Sequence, residues 1–248
     1  MVRLGLIGKP SDWLIASTYN RDILASRLGV EIVEIPIEEV TSLGEVENGM
    51  DGALRIYERI RDIVSRYQLD GVALRCFDLL TTIRNTGCIA LSRLNDEGIP
   101  AACEGDVPTL VTMLLAKQLS GCPGFQCNPA RIEQTPGQAP TMLFAHCTLP
   151  LSMCQSYSLT THFESGIGVA IHGELPTGDY TLMKVSGDLS RVFVSEVTLI
   201  RNQYERNLCR TQVWLQMSDE DIQYFLTNPI ANHHVLVPGK WSKKINHL

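Results

Sequence analysis

Three stretches of the chain carry residue types that could do chemistry together. Residues 101–119 (AACEGDVPTLVTMLLAKQL) pass from an apolar run through Glu104, Gly105 and Asp106 into a helix-like segment opened by Pro108. His146 ends a second apolar run, and His233-His234 lie in ANHHVL near the end of the sequence. A carboxylate with two imidazoles is a mixed oxygen and nitrogen ligand set. It suits Mn²⁺, Mg²⁺, Fe²⁺ or Co²⁺ where open positions remain, and Zn²⁺ where the site is compact. Asp106 stands where a side-chain oxygen caps a helix just before a proline. Glu104 precedes the cap, and capping does not explain it.

The remaining polar residues fit weaker patterns. His162 and Glu164 are two apart, so on a strand they would share a face and form a polar rim or touch a ligand. His172 stands beside a turn and His247 in the tail. A thiol-rich zinc site can be drawn from Cys122, Cys127, His146 and Cys147, but its spacing matches no standard finger or ribbon. Cys147 with a neighbouring histidine lacks the local signature of a nucleophilic pair. The eight cysteines are scattered through mostly apolar segments without CxxC spacing, and most read as buried thiols. Gly8-Lys9 falls short of either glycine-rich phosphate fingerprint.

The elements that must position these residues follow from periodicity. Residues 3–8 read as a strand, Ser11 or Asp12 caps a helix from Trp13 to about Leu28, and 30–36 alternate as a second strand. Residues 38–51 read as loop or a short helix, 53–67 as an amphipathic helix, 71–75 as a buried strand and 85–96 as another helix. Strands alternating with helices imply a parallel sheet with right-handed crossovers, whose ligand crevice lies outside the carboxyl ends of the strands. Arg75, Asp78, Glu104 and Asp106 all fall there. After Gly121 the texture changes. Turn formers crowd 121–129 and 135–140, residues 142–145 form a strand ending at His146, and short strand-like runs follow at 168–172, 180–185, 191–200 and 211–215. A capped helix at 218–226 precedes the closing stretch 228–237. The expected fold is therefore a parallel-sheet α/β domain over residues 1–125, followed by a mostly antiparallel β domain, small and barrel-like, over 126–248.

Composition narrows the partners. A chain of 248 residues, 44% hydrophobic, can bury a sizeable core, and it has no apolar run of membrane-spanning length. A net charge of −6 argues against a general affinity for nucleic acid or anionic lipid, and the one basic run, 240–244, reads as a solvated tail. MVRLGLIG lacks the apolar stretch and cleavage site of a secretory signal. A cytoplasmic protein with no nucleic-acid or membrane partner is expected.

Taken in order, ACEGDVPTLVTMLL, PGFQCNPA, FAHCTLP, THFESGIG, the strand-rich segment containing DYTLMKV, and ANHHV resemble the second and C-terminal domains of the L-fucose isomerase and L-arabinose isomerase superfamily. The resemblance covers nearly the whole chain. It implies a divalent cation, usually Mn²⁺, held by Glu104, a residue around Cys127 or Asn128, His146, and His233 or His234. It also implies a small sugar as substrate, with Arg75, Asn128 and His162 as expected contacts. The implied chemistry is aldose–ketose isomerisation through an enediolate, with Glu104 moving the carbon-bound proton as general base and a second acid completing the transfer. Where the family places that second acid, this chain carries Cys127-Asn128, and asparagine cannot shuttle a proton at neutral pH. Glu133 is close in sequence but outside the motif. The alternative is a catalytically impaired relative that binds a sugar or serves as an assembly subunit. The family's N-terminal domain, which helps form a neighbouring subunit's site in a trimer or hexamer, has no counterpart in the sequence. The expectation is a shortened homologue, a fragment or half of a two-chain enzyme, assembled as a trimer-based homo-oligomer or with a separate N-terminal-domain partner.

Overall fold

The computed structural model describes residues 1–245, so His247 lies outside the described residues. Four strands, β1 (Val2–Ile7), β2 (Val30–Ile35), β3 (Gly71–Leu74) and β4 (Ala101–Cys103), pair in parallel in the order β2-β1-β3-β4. Helices α1 (Arg21–Leu28), α2 (Glu38–Thr41), α3 (Met50–Tyr67), α4 (Phe77–Thr82), α5 (Cys88–Asp96) and α6 (Val107–Ser120) connect or follow them. The sequences GVAL and AAC are apolar throughout because β3 and β4 are buried on both faces, as a parallel sheet covered by helices demands.

The helix expected from Trp13 to Leu28 forms only in its second half. Asn20 caps α1 by accepting the Ile23 N–H, and residues before it are held in a loop by distant partners. The Ser11 hydroxyl donates to the Glu104 carbonyl, and the Ile15 N–H donates to the Asn232 side chain at 2.6 Å. A local helix would forfeit both bonds.

Helix α6 shows why its sequence lacks an amphipathic stripe. It lies between the parallel sheet, where Leu4, Ala73 and Ala102 meet it, and later strands carrying Met183, Val185, Val235 and Val237. Burial on all sides leaves no polar face to mark its period. Its cap is Asp106, which accepts the Thr109 N–H at 2.8 Å.

The rest of the chain is mostly antiparallel. It comprises β5 (Phe125–Glu133), β6 (Thr141–His146), β7 (Ser156–Thr160), β8 (Ala170–Glu174), β9 (Gly178–Val185), β10 (Val192–Gln203), β11 (Thr211–Gln216), α7 (Asp219–Thr227), β12 (His234–Pro238) and α8 (Ser242–Ile245). Six strands pair in the order β10-β11-β6-β5-β12-β9, and β9 pairs with β10 in turn. Phe125, Cys127, Phe144, Leu182 and Leu215 belong to the core they share. Strands β7 and β8 form a separate hairpin.

Three strands are absent from the sequence reading: β5, β7 and β12, the last lying mostly in the closing stretch 228–237. Turn formers at 121–129 hide β5, whose register shifts between Pro129 and Arg131, the kind of bulge at which a proline is tolerated. Strand β7 escapes notice because most of it is exposed and no apolar alternation marks it.

Candidate metal centre

Glu104 occupies the turn between β4 and α6 in the left-handed region, with φ of 61°, and Gly105 follows at 60°. A non-glycine residue in that region costs on the order of 1–3 kcal/mol, and such strain persists only where the surroundings fix it. Here the Gly105 N–H donates to the Leu74 carbonyl at 2.9 Å, while the Ser11 hydroxyl binds the Glu104 carbonyl. Gln126 from β5 closes the free edge of β4: its amide oxygen accepts the Cys103 N–H at 2.8 Å. A Cβ at Gly105 would run into the Lys9 carbonyl oxygen, so this turn also requires its glycine.

Two histidines arrive from the antiparallel part. His146 ends β6 and His233 directly precedes β12. Their Nε2 atoms lie 3.9 and 3.3 Å from Glu104 Oε1, and the three donor atoms all fall within 4.8 Å of one another. Two donors each about 2.1 Å from one ion, at right angles, stand roughly 3 Å apart, so these separations fit a shared cation.

The far side of each ring is already held. His146 Nδ1 meets the Thr148 hydroxyl at 3.0 Å, and His233 Nδ1 meets Asp106 Oδ2 at 2.8 Å. Such outer partners fix ring orientation and leave the other nitrogen to a ligand. His233 Nε2 is buried without a hydrogen-bond partner, which is costly unless something accepts its lone pair. Asp106 is thus more than a cap, since it also faces the wholly buried Lys184, whose Nζ lies 3.4 Å from both carboxylate oxygens.

The electrostatics agree with the geometry. Burial opposes the charge on Glu104, but the facing imidazoles of His146 and His233 outweigh it and hold the carboxyl well below the ordinary range. For Asp106, burial is likewise outweighed, by Lys184 first and then His233, and the pKa falls to about 2. Burial would depress His233, yet Asp106 and Glu104 lift it to about 9. A proton or a cation is therefore strongly favoured between these groups.

The cluster opens into a small cavity of about 50 Å³, room for a few water molecules. Its lining includes Phe77, Thr86, Glu104, Asn128, His146, His162 and Glu164, with five of the eight cysteines: Cys76, Cys88, Cys103, Cys147 and Cys209. His162 and Glu164 sit in a turn between β7 and β8 rather than on a strand, yet both reach the cavity. Cys127 and Asn128 point oppositely along β5, the thiol into the core and the amide to the cavity.

Other expected residues are not brought here. Arg75 braces the β1–α1 loop: its guanidinium donates to the Pro10 carbonyl at 2.9 Å, pairs with Asp78 and Asp12, and stacks over Trp13. Glu133 pairs with Arg201 at the surface. The proposed thiol-rich zinc set is not assembled, because the Cys127 thiol faces the His234 carbonyl and Cys122 lines a different pocket. His234 also leaves the ligand set. Its Nδ1 faces the Asn232 carbonyl at 3.4 Å, an acceptor only, so the ring proton sits there and the Tyr224 hydroxyl donates to Nε2 at 2.9 Å, occupying that lone pair.

Sequence reading missed Trp13. Its indole N–H donates to Glu104 Oε2 at 2.8 Å, and its ring meets Phe77, which in turn meets His162 edge-on. The contact spans 91 positions, and no local signal announces it.

Burial, the largest influence, holds His234 neutral with its pKa lowered to about 3. An unfolded chain takes up that proton near pH 6.5 and the folded chain does not. The stabilisation is therefore complete above about pH 6.5 and is lost progressively as pH falls toward 3, by a few kcal/mol in all. Urea unfolding at pH 7.5 and 4.5 should show a smaller acid penalty for His234→Gln than for the unsubstituted protein. Equal penalties would exclude His234 as the source.

No family model matches the chain. Among curated proteins, the sulfoquinovose isomerase of Clostridium sp. (strain MSTE9) is 28% identical over 124 residues, covering 49% of this chain and 26% of that protein. The sulfoquinovose isomerases of Priestia aryabhattai and Priestia megaterium are each 22% identical over 218 residues, covering 75% of this chain and 47% of theirs. The chain is thus distantly similar to sugar isomerases. It spans about half the length, or less, of these curated relatives. No helix among the described residues is long and apolar enough to cross a membrane.

Proposed function

We propose that the chain carries the metal centre of an aldose–ketose isomerase acting on a small sugar, with Glu104, His146 and His233 holding a divalent cation. The observation that carries this reading is the orphaned Nε2 of His233, buried and aimed at a carboxylate, with both imidazoles held from behind. Mn²⁺ is the favoured cation because the resemblance to the L-fucose and L-arabinose isomerases implies it, and a carboxylate with two imidazoles and open positions suits Mn²⁺ as it does Fe²⁺ or Co²⁺. A cation there supplies Lewis acidity to vicinal sugar oxygens. The chain's own groups do the rest. Glu104 moves the carbon-bound proton. Asn128 hydrogen-bonds the sugar hydroxyls, His162 lines the cavity with both ring nitrogens held by Ser165 and Glu164, and Trp13 fixes the second oxygen of Glu104. Similarity to sulfoquinovose isomerases supports the sugar-isomerase class. Assembly as a trimer-based homo-oligomer, or with a separate chain bearing an N-terminal domain, belongs to the same proposal.

Asn128 in place of an acid favours a second reading, a sugar-binding relative or assembly subunit without turnover. One experiment separates them. Protein purified without chelator should contain close to one Mn²⁺-class ion per chain by elemental analysis. With Mn²⁺ added it should interconvert at least one aldose–ketose pair from a panel of pentoses, 6-deoxyhexoses and sulfoquinovose. Metal without turnover supports the binder, and absence of metal removes both the centre and the isomerase assignment.

A further inference from the structure

An aldose–ketose exchange moves two protons, one between carbons and one between oxygens, and Asn128 stands where a second acid would be needed. The carboxylate that shares the cavity with Glu104 is Glu164. It comes from the β7–β8 turn, not from the strand that carries Asn128. Its Oε2 lies 3.3 Å from His162 Nε2, and His162 Nδ1 is held by the Ser165 hydroxyl at 3.0 Å. The Phe77 ring packs edge-on against the same imidazole, with centroids 6.0 Å apart. His162 is 8% exposed, so the imidazole is fixed while its partner carboxylate remains at the cavity face.

We propose that Glu164, presented by His162, is the second proton-transfer residue of this site, replacing the acid that Cys127-Asn128 lacks. The proposal rests on the isomerase assignment above. In the aldose-to-ketose direction, Glu104 takes the proton from C2 and returns it to C1. The Glu164 carboxylate takes the O2–H proton and delivers one to O1. The C2–H and O2–H bonds break, C1–H and O1–H form, and no external oxidant or reductant is consumed. Glu164 suits the task chemically: burial first, and the nearby Glu104 charge against the pull of His162, raise its carboxyl above the usual range. A carboxyl so shifted gives and takes a proton more readily near neutrality.

The test uses the whole chain with Mn²⁺ and the sugar pair found in the panel. Glu164→Gln keeps the shape and a hydrogen bond to His162 but can neither take up nor release a proton near neutral pH. Its kcat should fall about 100-fold or more, in line with the loss of one positioned acid–base group. KM and Mn²⁺ affinity should stay close to those of the unsubstituted protein. In Glu164→Ala, added formate should restore part of the lost rate, which a purely structural role would not permit. Three results overturn the inference. An unchanged kcat for Glu164→Gln means the residue carries no essential proton. A collapse of Mn²⁺ affinity means it holds the cation instead. No turnover of any sugar by the unsubstituted protein removes the isomerase assignment and Glu164's role with it, and that result is seen before any variant is made.

Discussion

Glu104→Gln should abolish tight divalent-cation binding while leaving the protein folded. Glutamine is nearly isosteric, and it keeps an acceptor for the Trp13 indole and the backbone contacts that hold the turn. What disappears is the negative charge that faces the Nε2 atoms of both His146 and His233. Two neutral imidazoles remain, and without the carboxylate they lack the hard oxygen donor that Mn²⁺ prefers. Removing an outer partner of a ligand typically costs about 10–100-fold in metal affinity, so loss of the ligand itself should cost about 100-fold or more. Mn²⁺ titration followed by electron paramagnetic resonance of the free ion measures this directly. His146→Ala should behave similarly. If neither substitution weakened Mn²⁺ binding, the cation would have to lie elsewhere in the chain.

The parallel half of the fold was legible because its strands are short, apolar or alternating runs separated by helical periodicity. The antiparallel half was legible in part. Strands β9 to β11 stand out as strand-like runs between polar turns, with β10 alternating, but β5 hides among turn formers and β7 exposes most of its residues. At the site, Glu104 and the histidines stood out because a polar residue ending an apolar run needs an explanation. The choice between His233 and His234 was not available from the sequence. Neighbouring residues entering a strand face opposite ways, and only the Tyr224 contact shows which ring is already occupied. Local pattern places Trp13 in a helix, and the bonds that override that pattern reach residues about ninety positions or more away. Lys184 was invisible for the same reason: within DYTLMKV it reads as an ordinary outward residue, whereas its partner lies 78 positions earlier.

That lysine carries the largest expected effect on stability. Lys184 is fully buried on β9, donates to the Thr109 hydroxyl and offsets the charge of Asp106 inside the shared core. Lys184→Met fills the same space with an apolar chain but leaves Asp106 buried without its cation. Breaking a buried pair this way typically costs about 3–5 kcal/mol, more than either charge contributes when matched. The unfolding midpoint in urea should fall accordingly. Adding Asp106→Asn removes the uncompensated charge, so the double variant should be more stable than Lys184→Met alone. An additive result, with the double variant weaker by the sum of both changes, would mean the two side chains are not energetically coupled. The rescue in stability should not extend to the metal. An asparagine amide facing His233 Nδ1 in place of a carboxylate donates where Asp106 accepts. It drives the ring proton to Nε2, the nitrogen that must keep a free lone pair. Asp106→Asn should therefore lower Mn²⁺ affinity by about 10–100-fold whether or not Lys184 is present. Stability and ligation would then separate in one pair of proteins, because Lys184 serves the charge of Asp106 while Asp106 serves the tautomer of His233.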